Sequence, residues 1–280
     1  MMQFNRPSQR GFTLIEAIIV IMLTGILAVI AASFISRPIE QYLDLNRRAD
    51  LTDAANSAVR RMSRDLHLAL PNSVRQEDAD NTCVEFLMTS NGGRYLSAPP
   101  GNAMQFDSTS GTQFDVIGPL SVAPQGGDFI VVYNLGIPGA DAYDPSYRGV
   151  VDATGTTVNT IKLATPIQNP IESPAKRFFV LSGTSPAVAF VCQGAAVNQG
   201  NGVGRLFRLS NYAVTPAVTS CATLMSNATA ALMAENVASC SFTYTSGIIE
   251  RSGVLSIRLS LQRAGESVNL YQDVNINNVP

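Results

Sequence analysis

Residues 17–36 run for twenty positions without a charge, AIIVIMLTGILAVIAASFIS. At about 1.5 Å per residue a helix of that length spans roughly 30 Å, the thickness of a bilayer's hydrocarbon core. No other stretch approaches it; beyond residue 86 the apolar runs are strand-sized and bounded by Gly, Asp or Pro. The reading is therefore one membrane span close to the N-terminus. Arg6 and Arg10 precede it with Glu16 as the first acid, so the short N-terminal flank is expected on the cytoplasmic side and everything after Arg37 outside the inner membrane. This segment also accounts for much of the chain's apolar character, 46% of its residues against only 14% charged. That composition excludes intrinsic disorder. A net charge of -2 with only two lysines argues against a nucleic-acid partner.

A secretory signal would have an apolar stretch about half as long, closed by a small-x-small cleavage site. Instead the segment is preceded by a carboxylate, Glu16, at the edge of a spanning helix, where an acid costs a few kcal/mol and calls for a partner or a purpose. Residues 10–16 read RGFTLIE. This resembles the class III signal of type IV prepilins and type II secretion pseudopilins. The resemblance implies a leader of residues 1–11, cleavage between Gly11 and Phe12 by a prepilin peptidase, and N-methylation of Phe12. Glu16 becomes the fifth residue of the mature chain and an assembly residue, pairing with the N-terminal amine of a neighbouring subunit. Glycine before the cut lets the protease approach the backbone closely. The pairing would neutralise two charges that are each costly in an apolar filament core.

The resemblance also implies a fold: α+β, a pilin fold whose long N-terminal helix packs on an antiparallel, β-rich head. The expected layout is the leader at 1–11, a transmembrane and filament-core helix at 12–36, an amphipathic half at 37–71 and a periplasmic head at 72–280. Leu51, Ala55, Ala58, Val59, Met62 and Leu66 recur at helical spacing. Pro38 is expected to kink the helix and Pro71 to end it. Residues 37–75 carry net charge +2, with seven arginines, and residues 76–280 carry -5. The Arg-rich helix face reads as solvated or paired within the protein, with a contact between subunits as the alternative.

Beyond Pro71 the chain reads as short strands at 84–88, 129–133, 158–163, 178–181, 188–192 and 206–209, with a short helix at 228–234. Leu255, Ile257, Leu259 and Leu261 alternate with polar residues ahead of Ala264-Gly265-Glu266, which predicts a hairpin with residues 267–276. The Gly- and Pro-rich stretches 97–127, 134–157 and 193–204 read as exposed loops.

Cys83, Cys192, Cys221 and Cys240 make no CxxC pair and no metal cluster with the single His67. In an oxidising periplasm they are expected as two disulfides, with three pairings open. Cys221–Cys240 closes a short local loop like the disulfide-bounded C-terminal region of many pilins. That resemblance favours Cys221–Cys240 with Cys83–Cys192.

No catalytic residue, metal or cofactor is expected. His67 reads as a helix-surface or packing residue, Gly200, Gly202 and Gly204 lack dinucleotide-binding spacing, and Asp141 and Asp144 read as a surface turn. The expectation is a non-enzyme, partnered by other pilins and minor pilins through the N-terminal helix, by the prepilin peptidase and by the inner membrane, and placed finally in a cell-surface pilus. Segments at 60–75, 83–95 and 235–244 and the ending ESVNLYQDVNINNVP resemble minor pilins of MSHA-type pili. J- and W-type minor pilins and pseudopilins share the layout, so a type II secretion pseudopilin is the alternative.

Overall fold

A computed structural model describes residues 11–76, 81–107, 109–246 and 252–280, without the side chains of residues 35–40. It divides into two compact units, Met1–Ala49 and Asp50–Pro280. Helix α1 (Leu14–His67) contributes to both. In the first unit its side chains from Leu14 to Phe34 are all exposed.

In the second unit the amphipathic stripe appears as the spacing predicts. Leu51, Ala55, Ala58, Val59, Met62 and Leu66 are all buried, in one core with residues of a six-stranded sheet. The helix ends at His67, four residues before Pro71. The strands follow as β1 (Cys83–Leu87), β2 (Thr89–Tyr95), β3 (Gln113–Ile117), β4 (Phe129–Val132), β5 (Gly149–Val151), β6 (Thr160–Thr165), β7 (Arg177–Leu181), β8 (Ala187–Gln193), β9 (Val197–Asn198), β10 (Asn201–Gly202) and β11 (Gly204–Ser210). Helix α2 (Cys221–Asn227) precedes β12 (Thr229–Thr245), β13 (Gly253–Arg263) and β14 (Glu266–Ile276).

The sheet has the order β1-β8-β11-β12-β13-β14, with antiparallel neighbours throughout. The alternating run at 255–261 buries Leu255, Ile257, Leu259 and Leu261 against α1. The hairpin after it turns on Ala264 and Gly265, both at positive φ (51° and 87°), as a two-residue turn matching strand twist requires. The opposite face of β1, β8 and β11 forms a separate core with Leu224 of α2 and with Tyr143 and Tyr212.

The single-bodied head of a pilin fold is too simple. β1 and β8 are adjacent in the sheet, and the chain between them closes into a six-stranded barrel, β2-β3-β6-β5-β4-β7. Its interior holds Tyr95, Phe114, Ile130, Ile161, Phe178 and Val180. The stretches read as exposed loops at 97–127 and 134–157 belong to it: they supply β3 and β5 and bury Phe114, Leu120, Ala140 and Tyr147. Stretch 193–204 likewise forms a small hairpin of β9 and β10, with Gly200 at φ 76° in its turn. The helix expected at 228–234 lies one element later than the real one. α2 is capped by Ser220, whose hydroxyl accepts from the Thr223 amide, and 229–234 is already strand.

The cysteine pairing is also corrected. The disulfides are Cys83–Cys221 and Cys192–Cys240, not Cys83–Cys192 and Cys221–Cys240. In the β1–β8 ladder Cys83 stands opposite Val191. Side chains alternate along a strand, so Cys192 points to the other face. Cys83 lies in the core beside α2, where Cys221 begins that helix, and Cys192 in the core beneath α1. β12 runs beyond the start of β11 at Gly204, and Cys240 joins Cys192 there.

Candidate functional site

The N-terminal segment is built by its own local chemistry. Thr13 immediately precedes the helix, and the Glu16 amide donates to its Oγ1 at 3.4 Å while the Ala17 amide donates to its carbonyl at 3.2 Å. Thr13-Leu14-Ile15-Glu16 thus has the S/T-x-x-E spacing of a capping box, a signal the sequence carried and the reading above did not use. Glu16 stands in the first turn, where the helix macrodipole favours a negative charge. Phe12 is 75% exposed just outside that turn, and among the described residues, Gly11 and its chain neighbours aside, no atom lies within 4 Å of where a Gly11 Cβ would stand. Residues 1–10 of the expected leader, including Arg6 and Arg10, lie outside the described residues, as do the side chains of Arg37 and Pro38.

From Leu14 to Phe34, 21 residues, the helix is long and apolar enough to cross a membrane, and none of it is buried. Its hydroxyls bond within the helix: Thr24 Oγ1 donates to the Val20 carbonyl at 2.7 Å and Ser33 Oγ to that of Ile30 at 2.9 Å. A polar group facing hydrocarbon needs such an internal acceptor.

In the second unit, polar side chains tie elements together. Glu85, 4% exposed, accepts from Arg75 Nε at 2.6 Å, while Arg75 also donates to the carbonyls of Thr215 and Pro216 and lies 3.4 Å from the Tyr143 ring centre. Burial, and then the nearby Glu85 charge, push the Tyr143 and Tyr212 hydroxyls well above their ordinary pKa. Asn134 is fully buried; it donates to the Pro71 carbonyl and accepts from the Ala142 amide, both at 2.7 Å. Gln76 bonds the Phe242 carbonyl and the Tyr244 amide, both at 2.8 Å, where β12 has run beyond β11. Asp65 pairs with Arg208 at 2.7 Å and holds the end of α1 to β11.

His67 is exposed at the C-terminus of α1. Asp144 caps a single 3₁₀ turn by accepting from the Ser146 amide and hydroxyl, bonds that hold its carboxyl below the ordinary range, and Asp141 accepts from the Tyr143 amide. Among the described residues no group of three or more His, Cys, Asp or Glu is placed to hold a metal. The geometry supplies, in the first unit, an exposed apolar helix with a capped, acid-bearing N-terminus and, in the second, a cross-linked β-rich body.

Comparison with known proteins agrees on the first of these. The family described as "Prokaryotic N-terminal methylation motif" matches residues 6–32, which includes Gly11, Phe12 and Glu16. No curated protein and no solved structure matches the chain. The motif supports a type IV pilin-like or pseudopilin-like protein. It implies processing by a prepilin peptidase and assembly with other pilins, and with the apolar helix Leu14–Phe34 it fits a membrane-anchored pilin.

Proposed function

We propose that the chain is a minor pilin of an MSHA-type type IV pilus, most like the O-type minor pilin of mannose-sensitive haemagglutinin pili. A prepilin peptidase removes residues 1–11 between Gly11 and Phe12 and methylates the new amine of Phe12. The helix holds the subunit in the inner membrane, with residues 72–280 in the periplasm, and then packs into the filament, where the subunit takes part in pilus initiation, assembly and surface adhesion. No catalytic step is required of it.

The observation that carries the pilin-like part of this reading is the methylation motif on a helix whose side chains from Leu14 to Phe34 are all exposed, and the sequence resemblance at 60–75, 83–95 and 235–244 supports the MSHA-type assignment. Cleavage would leave a cationic amine one residue before the Thr13 cap, beside the positive end of the macrodipole, which is an unfavourable place for it. Glu16, one turn on, supplies the opposite charge, either to its own chain's amine or to a neighbour's. On assembly into an apolar core, that pairing is the condition for burying both charges.

The second reading is a J-type pseudopilin of type II secretion, favoured by the same motif and by the large head. Deleting the gene in the native host separates the two. Loss of surface pili and adhesion with normal exoprotein export supports the minor pilin. Loss of export with normal pili supports the pseudopilin.

A further inference from the structure

The six-stranded sheet has two edges, treated in opposite ways. The β1 edge is covered by the chain leaving α1: the Leu70 amide donates to the Leu87 carbonyl at 2.8 Å, and Arg75 and Glu85 exchange backbone bonds at 2.9 and 3.0 Å. The β14 edge has no ladder neighbour beyond β13 among the described residues. Eleven consecutive residues, Glu266–Ile276, pair with β13 without a register shift. At about 3.3 Å per residue this leaves roughly 35 Å of regular edge, along which about half the residues turn their N–H and C=O groups outward. Natural edges of this length are usually blunted by proline, lysine or a bulge, and β14 has none of these. Its one mid-strand charge, Asp273, accepts from Ser256 Oγ at 2.6 Å on β13.

A groove lies between this strand and one face of α1. It is lined by Asp53, Asn56, Arg60, Ser63 and Arg64 from the helix and by Gln272 from the strand. Arg60 and Arg64 are exposed and have no ion-pair partner among the described residues, unlike Arg75 and Arg208. The groove's one acid, Asp53, lies about 10 Å along the helix from Arg60.

We propose that β14 accepts an added strand: an extended segment of a neighbouring subunit whose side chains toward α1 are acidic and meet Arg60 and Arg64. Main-chain bonds to the outward groups of β14 would supply affinity, and the arginine pair would supply register and choice of partner. This deepens the subunit reading above and rests on it for the identity of the partner as a subunit.

The test uses the full-length protein in the membranes and filaments of its native host, with a photo-cross-linking residue at Gln272, at Ser63 or, as control, at Thr154 in the barrel. The expected result is that positions 272 and 63 join the same short segment of a second polypeptide, at least tenfold above the control, with Asp or Glu within two residues of the joined position. The double variant R60E/R64E should lower the yield at least tenfold, and changing the partner's acid to lysine should restore it. If that variant loses its cooperative melt, R60Q/R64Q replaces it, with at least a threefold loss expected. Joining to lipid, to β14 of a second copy or to scattered segments, or a yield indifferent to both arginine variants, overturns the proposal. The N-terminal mass of the same sample reports on processing separately: a mature N-terminus without the cross-link sinks this inference alone, and an unprocessed chain that still forms it sinks the pilin reading instead.

Discussion

Cys83 and Cys192 stand on adjacent strands, one register step apart, and face opposite sides of the sheet. A disulfide between them is therefore geometrically closed off, although their strands are hydrogen-bonded neighbours. Each cysteine instead ties its own face to a different element, Cys83 to α2 and Cys192 to β12. Non-reducing peptide mapping should find Cys83 joined to Cys221 and Cys192 joined to Cys240. The two bridges span 138 and 48 residues of sequence. Loops of that length correspond to a stabilisation of about 2–5 kcal/mol each, so C83S/C221S and C192S/C240S should each lower the melting temperature measurably.

Among the described residues Glu85 is the one buried acid of the body, and its partner Arg75 has a side chain only 12% exposed. Removing one partner of such a pair strands the other, which costs about 3–5 kcal/mol. Glu85→Ala should therefore cost about that much in a denaturant melt. Exchanging surface pairs such as Arg205–Glu235, whose side chains are more than half exposed, should cost less than about 1 kcal/mol.

Met62 is fully buried where α1 meets the sheet. Met62→Ala should destabilise the body by about 2–5 kcal/mol, while Arg61→Ala, one residue away and exposed, should change it by less than about 0.5 kcal/mol. Equal effects at the two positions would contradict the packing of this helical stripe.

Asp115 accepts from the Asn102 amide at 2.8 Å, from the Asn102 side chain at 3.1 Å and from Thr160 Oγ1 at 2.9 Å. The Asn102 backbone bond, followed by these side-chain bonds, holds its carboxyl below the ordinary value of 3.8. A depressed folded-state pKa contributes stability that is complete above the unfolded value and disappears as pH falls through the folded one. The stability gap between the wild type and Asp115→Asn should thus be constant from pH 7 to about 4 and shrink below it. An NMR titration should give Asp115 a midpoint under 3.8; a midpoint above that would contradict these hydrogen bonds.

Sequence and structure agree where the signal is periodic and the neighbours are local. Leu51 to Leu66 recur at helical spacing, and 255–261 alternates, because each element buries one face against a single large partner. The barrel was illegible for the opposite reason. β3 and β5 are five and three residues long, and the stretches that carry them, 97–127 and 134–157, are punctuated by Gly and Pro. What buries Phe114, Ala140 and Tyr147 is closure of a sheet across residues 89–181, which no local pattern encodes. The helix expected at 228–234 failed on a similar point: an alanine-rich run favours helix alone, but β11 pairs with residues 229–234 as a strand. At the N-terminus the position is reversed. Gly11, Phe12 and Glu16 fall in the methylation motif, a pattern of linear spacing that needs no tertiary partner to be read, and the structure adds the Thr13 cap that starts the helix there.

The most direct measurement is the intact mass and N-terminal sequence of the protein recovered from native filaments. Cleavage between Gly11 and Phe12 predicts a chain that lacks eleven residues and begins with N-methyl-Phe12, joined by two disulfides. Glu16→Ala should be processed identically and be depleted from filaments at least several-fold. A chain that retains Met1, or one whose N-terminus falls beyond the apolar helix at residue 36, would contradict the account.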